Sequence, residues 1–126
     1  MKGSLFSKSH EWVRVESDIA IIGISDYAQS QLGDIVFIEL PNPGDNLSQG
    51  QQLGTIESTK AASEIFMPIS GEIIELNDEV INSPELINQD PFNRGWMIKS
   101  KISDSSQLKG LMDESAYKEF VASEEH

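Results

Sequence analysis

From Trp12 to about Lys101 the apolar residues fall in short runs rich in β-branched side chains, Ile19-Ala20-Ile21-Ile22 and Ile35-Val36-Phe37-Ile38 among them, and such runs predict strands. Turn-forming clusters separate them: Glu16-Ser17-Asp18, Pro41-Asn42-Pro43-Gly44-Asp45, Ser70-Gly71, Asn82-Ser83-Pro84 and Asn93-Arg94-Gly95. Strands so short and so closely spaced predict a barrel or a sandwich. One helical interruption of about two turns is expected at Asp26 to Leu32, where Ser25 supplies an N-cap oxygen and Gly33 a left-handed exit. The period changes in the tail, where Leu108, Leu111 and Met112, then Tyr117, Phe120 and Val121, recur at three and four. Two short closing helices are predicted there, packed on the β body, with Asp104 and Gln107 forming a capping box at the first.

A weak repeat runs through the β region. Gly33-Asp34-Ile35 resembles Gly71-Glu72-Ile73, and Gly44-Asp45 with Leu47 and Leu53 resembles Asn77-Asp78 with Val80 and Leu86, which predicts two like halves. Between them, Leu53 to Met67 reads as two apolar-bearing strands joined by a small polar stretch, a hairpin whose tip carries Lys60. The whole chain, residues 1–126, reads as one domain with a β core at about 12–101 and a helical segment at about 104–124.

Charge narrows the partners. With 21 Asp and Glu against 9 Lys and Arg the net charge is −12, a field that repels phosphate backbones and anionic lipid heads, so neither nucleic acid nor a membrane surface is an expected partner. No apolar run is long enough to span a bilayer, and the start from Met1 to Glu11 has no signal-peptide stretch. With no cysteine the chain has neither thiolate ligands nor a thiol nucleophile, and His10 and His126 are its only imidazoles, so no catalytic residue or metal site is assigned. No Gly-rich phosphate cradle occurs. Asp45 to Glu57 places Gly50 as a calcium loop would, but Leu47 and Gln49 stand at ligand positions and the Glu comes one residue late. On the residues alone, Lys60 is an accessible but ordinary solvated lysine.

Glu57-Ser58-Thr59-Lys60-Ala61-Ala62-Ser63 closely resembles the lipoyl-lysine motif of the glycine cleavage H-protein family. The likeness continues, in the family's order, through His10-Glu11-Trp12-Val13, Ile22-Gly23-Ile24-Ser25-Asp26-Tyr27-Ala28, Gln31-Leu32-Gly33-Asp34-Ile35-Val36-Phe37, Glu39-Leu40-Pro41, Pro68-Ile69-Ser70-Gly71-Glu72 and Gly95-Trp96-Met97, covering about Ser9 to Phe120. Thr59 departs from it, standing where Val is usual. The resemblance implies a mainly β, lipoyl/biotinyl-type barrel-sandwich of two quasi-repeated halves with short helices, and lipoate joined to Lys60 by an amide. It implies a shuttle, not an enzyme. Its partners would be a pyridoxal-phosphate glycine decarboxylase that loads an aminomethyl group, a folate-dependent aminomethyltransferase that unloads it and a dihydrolipoyl dehydrogenase that reoxidises the dithiol. A lipoate ligase or lipoyl/octanoyl transferase would charge Lys60. The resemblance also implies a cleft in which Ser9, Glu11 and Glu64 shelter the loaded amine, while Glu57 shapes the hairpin and aids its recognition. Trp12 and Trp96 read as core or cleft wall. A biotinyl carrier usually has Met beside its lysine, whereas Thr59 and Ala61 stand here; an H-like relay in lipoate transfer and an unmodified acidic interaction module stay open. A bacterial cytoplasm is the expected location, or the mitochondrial matrix for a processed form.

Overall fold

The computed structural model describes residues 4–124, so His126 lies outside the described residues. Strands β1 (Leu5–Phe6), β2 (Glu11–Glu16) and β3 (Ile19–Ile24) lead into helix α1 (Asp26–Leu32). Strands β4 (Ile35–Glu39), β5 (Asn46–Leu47), β6 (Gln52–Ser58), β7 (Ala62–Phe66) and β8 (Gly71–Leu76) follow. Helices α2 (Asp78–Asn82) and α3 (Leu86–Gln89) precede β9 (Ile98–Ile102), a 3-10 helix (Ser105–Gly110) and α4 (Glu114–Glu124). One sheet has the order β1-β2-β3-β9-β8-β5 and the other the order β4-β6-β7, every pairing antiparallel. Both sheets feed one core: Val13, Ile22, Ile73 and Ile98 come from the larger, Ile35, Ile38, Ile56 and Ile65 from the smaller, and all are buried.

Local signals hold where the sequence placed them. Ser25 Oγ accepts the Ala28 N–H at 3.1 Å to open α1, and Gly33, at φ 82°, donates its N–H to the Gln29 carbonyl at 3.0 Å to close it. The tail helices pack on the β body as expected. Tyr117 of α4 is buried and stacks on Phe6 with ring centroids 4.3 Å apart, in a second apolar cluster that includes Trp12 and Ile21. Trp12 is core, its Nε1–H donating to the Pro91 carbonyl at 3.0 Å, and Trp96 packs half-buried against the same cluster.

Four expectations are corrected. The β region begins earlier than Trp12, because Leu5 and Phe6 pair with Val13 and Trp12. Residues 78–89, expected to continue as strand and turn, form α2 and α3: Asn77 Oδ1 accepts the Glu79 N–H at 3.1 Å as an N-cap, and its Nδ2 donates to the Arg94 and Trp96 carbonyls at 2.9 and 2.7 Å. The repeat is consequently partial. Residues 33–35 and 71–73 lead into β4 and form the start of β8, but 44–53 lie on a loop, β5 and β6, whereas 77–86 lie on helices. Finally, the first tail helix is 3-10 and its capping box is half made: Asp104 caps Ser106, while Gln107 Oε1 accepts the Ser70 N–H at 2.6 Å.

The small sheet is spaced by close backbone contact. Gly54 of β6 passes so near the Glu39 carbonyl that any Cβ there would collide with backbone. Gly54→Ala is therefore expected to cost about 3 kcal/mol and lower the thermal midpoint by roughly 10 °C in a domain of this size. Calorimetry decides, and a change of only a degree or two would contradict the collision.

Candidate functional site

Strands β6 and β7 form the expected hairpin, with Thr55 opposite Glu64, Ile56 opposite Ser63 and Glu57 opposite Ala62. Ile56 and Ile65 anchor it in the core, and the tip stands clear: Thr59, Lys60 and Ala61 are all exposed. The turn is closed by Ser58, to which sequence reasoning gave no role. Its N–H donates to the Ala61 carbonyl at 2.8 Å, and its Oγ accepts the N–H groups of Ala61 and Lys60 at 3.1 and 3.3 Å. Serine hydroxyls that satisfy their own turn are a local signal, so this role was open to a turn argument. Beyond the turn, the Thr59 N–H donates to the Asp34 carbonyl at 3.0 Å, tying the tip to the residue that precedes β4. A Cβ at Gly33 would lie 3.1 Å from Lys60 Cε. Glycine there both ends α1 and leaves room for the lysine stem.

Glu11 is not a solvated acid. It is 1% exposed, its Oε1 accepts hydrogen bonds from Ser7 Oγ at 2.6 Å and Ser9 Oγ at 2.5 Å, and its Oε2 accepts the Phe66 N–H at 3.2 Å. Burial pushes its pKa above the ordinary 4.5, with the hydroxyl and amide donors pulling the other way. The carboxylate thereby holds the Ser7–Ser9 loop against the far end of β7. His10, between Ser9 and Glu11 at φ 75°, is braced from behind: Nδ1 lies 2.8 Å from the Tyr117 hydroxyl and Nε2 lies 3.0 Å from Glu124 Oε2. The Tyr117 hydroxyl is also 2.6 Å from Ser25 Oγ, and burial raises its pKa to about 12, so it stays protonated as the hub of this network.

A cavity of about 220 Å³ opens beside this loop, lined by Ser9, Phe66, Met67, Gln49 and Leu111 among others. Ser9 and Glu11 are thus brought together at the far end of β7. Glu64 and Glu57 are not part of that cluster; both are exposed, on the outer face of the hairpin, and no hydrogen bond joins Glu64 to Ser9 or Glu11. Lysine at a clasped, exposed tip can be acylated without disturbing the core, so the residues fit a covalent cofactor of that kind.

Comparison with known proteins agrees with this geometry. A profile of the glycine cleavage H-protein family matches residues 4–124. The chain is 50% identical over 119 residues to the glycine cleavage system H protein of Carboxydothermus hydrogenoformans, covering 94% of this chain and 92% of that one. It is 49% identical over 116 residues to the protein of the same name from Staphylococcus epidermidis, covering 92% of each. The crystal structure of a glycine cleavage system H protein from Mycobacterium marinum superposes with a TM-score of 0.84 at 30% identity, covering 93% of this chain and 94% of that one. The two-sheet body is thus the barrel-sandwich that the resemblance implied.

The state of Glu11 has a consequence for stability. A raised folded pKa means that the folded protein holds this proton more tightly than the unfolded chain, so the group's contribution is full below about 4.5 and is lost as pH rises through the raised value. In Glu11→Gln the amide oxygen still accepts from Phe66 and its NH2 faces serine oxygens that accept, so the site stays satisfied without titrating. Urea unfolding of both proteins between pH 4 and 7 is expected to show the wild type losing ground to the variant as pH rises. Parallel curves would show that Glu11 titrates as an exposed acid does.

Proposed function

The chain belongs to the glycine cleavage H-protein family, and from that premise we propose that Lys60 is the residue that carries its lipoate. Like the family, the chain is a lipoyl carrier of the glycine cleavage system and not a catalyst. One observation supports Lys60 above all: its side chain stands at the end of a hairpin whose backbone is already fixed by Ser58, Ala61 and Asp34, so acylation there needs no rearrangement. In the attachment, Lys60 Nζ first loses one ammonium proton to solvent and attacks, as the neutral amine, the carbonyl of an activated acyl group; the amide C–N bond forms as the activating group leaves with its bonding pair, and a second N–H proton passes to solvent. Bound lipoate supplies a disulfide, the sulfur chemistry that a chain without cysteine does not have.

The finer reading follows from the neighbours. Glu64 stands on β7, four residues past Lys60 and beyond the turn, and Ser9, held by Glu11, lines the cavity at the far end of that strand. We assign Ser9, Glu11 and Glu64 to sheltering a cationic amine: Glu64 as an exposed carboxylate along the way, Glu11 as the buried one that fixes the wall. Glu57, three residues before Lys60 and exposed, is assigned to recognition by the attaching enzyme. The partners are then a pyridoxal-phosphate glycine decarboxylase, a folate-dependent aminomethyltransferase and dihydrolipoyl dehydrogenase, with a lipoate ligase or lipoyl/octanoyl transferase acting on Lys60. The relatives named are bacterial proteins, and the bacterial cytoplasm is the matching location.

Incubation with lipoate ligase, ATP and lipoate is expected to add one lipoyl mass to the wild type, mapped to the peptide holding Lys60, and none to Lys60→Arg, which keeps the charge but not the acylable amine. Modification persisting in the arginine variant would refute the assignment. Because the tip buries little area, thermal midpoints of apo and lipoylated protein should agree within a few degrees.

A further inference from the structure

The outer face of the small sheet carries an apolar patch that the fold has gone out of its way to expose. Ile35 and Ile38 are both buried, which simple alternation along a strand does not allow for residues three apart. A β-bulge between Ile35 and Phe37 absorbs the mismatch, and as a result the consecutive Val36 and Phe37 are left 54% and 50% exposed. The other exposed large apolar residues described, Val15, Ile74 and Ile81, lie at 38–41% on β2, β8 and α2. Only Val36 and Phe37 adjoin the hairpin.

The register sets what surrounds them. Phe37 lies directly opposite Glu57 on β6, which in turn faces Ala62; the next outward-facing row is Glu39, Thr55 and Glu64. Opposed side chains on one sheet face stand about 5 Å apart, so the exposed phenyl ring lies beside Glu57, with Glu39 two residues along its own strand and Glu64 on the same face but across Thr55, on the far strand. None of those three carboxylates is in an ion pair among the described residues. The row beyond Phe37 in the other direction is Ile35 with Ser58, the turn-closing serine, and from it the tip begins.

We propose that Val36 and Phe37, on a sheet face that also carries Glu39, Glu57 and, on the far strand, Glu64, are the docking surface for the enzyme that acylates Lys60, and that this enzyme meets them with an apolar pocket rimmed by Arg and Lys. The inference rests on the assignment of Lys60 made above. An enzyme that works on Lys60 Nζ must bring its acyl carbonyl within bonding distance of residue 60, and its surface then covers the adjoining strand. Enzymes that act on the sulfur end work a full arm's length away and have no such need. The carboxylates of that face supply the charge complement, and the phenyl ring supplies a buried aromatic anchor of the sort that dominates small interfaces.

The test measures initial rates of lipoylation of the full chain by lipoate ligase with ATP and lipoate, over a range of carrier concentrations. Phe37→Ser is expected to raise KM about tenfold or more with kcat within about twofold. Ile74→Ser, equally a loss of exposed apolar surface but on β8, should leave KM unchanged, and acylation of Lys60 by a small succinimidyl ester should proceed alike in all three proteins. The double variant Glu39→Gln with Glu57→Gln should raise KM and flatten its dependence on salt, independently of how Phe37→Ser folds. A KM for Phe37→Ser equal to wild type overturns the proposal. So does an equal rise in the KM of dihydrolipoyl dehydrogenase for pre-lipoylated Phe37→Ser, which would make the patch a general handle. Should wild type itself gain no lipoyl group on Lys60, the attachment reading fails instead, a result the variants do not imitate.

Discussion

The hydrogen bond from the Thr59 N–H to the Asp34 carbonyl, 3.0 Å long, is the constraint on which the presentation of Lys60 depends. A two-stranded ribbon is marginal by itself, and a lysine at its free end would sweep a wide volume. Here the ribbon is the central and one outer strand of a three-stranded sheet, and its tip is also fastened sideways to the segment between α1 and β4. That segment is itself fixed, because Asn88 Nδ2 donates to the Gly33 carbonyl at 2.9 Å and Asn88 Oδ1 accepts the Ile35 N–H at 2.9 Å. Lys60, the residue assigned above to carry the arm, is thus mounted on backbone fixed by hydrogen bonds. Only the side chain of Lys60 keeps its freedom, which confines the entropy lost on enzyme docking to a few rotamers.

The second anchor lies at the opposite end of β7. As the outer strand of its sheet, β7 presents N–H groups that β6 does not satisfy, and Glu11 takes the one at Phe66. A buried carboxylate with a single amide partner would be costly, but Ser7 and Ser9 supply two further donors, and the loop that holds them is pinned through His10 to Tyr117 and Glu124. α4 therefore reaches the cavity wall without lining it. His10 holds a left-handed backbone conformation that costs a non-glycine residue energy, and it is fixed there by its N–H donating to the Ser7 carbonyl, its carbonyl accepting the Ser25 N–H, and its ring held by Tyr117 and Glu124 of α4.

How much of this was legible follows from how far apart the partners lie in sequence. The cap at Ser25, the exit at Gly33 and the hairpin around Lys60 are written within a few residues of where they act, and they were read correctly. α2 was missed because its cap, Asn77, is held by the carbonyls of Arg94 and Trp96, and nothing between 78 and 89 is long enough to show a helical period. Gln107 was assigned to its own helix but is taken by the Ser70 amide across the fold. The resemblance placed Glu11 in a cleft, but its near-complete burial has no local signal, because its partner at Phe66 is 55 residues away. The bulge in β4 was hidden for a different reason: Ile35-Val36-Phe37-Ile38 is apolar throughout, so no polar position marks where alternation breaks.

Acylating Lys60 alters the electrostatics of the surface it projects from. With the chain at −12, Lys60 is a cation at the tip of a hairpin that also carries Glu57 and Glu64, and amide formation removes its charge while leaving every carboxylate in place. The hairpin face is then uniformly acidic. An enzyme with a basic rim gains attraction to the loaded carrier through that change, whereas one that must accept the lysine ammonium before catalysis works against part of its own field. For the attaching enzyme a purely electrostatic grip would therefore strengthen as its product forms and slow release. An apolar contact at Phe37 does not change on acylation, so it gives affinity for the unmodified carrier without holding the modified one any tighter.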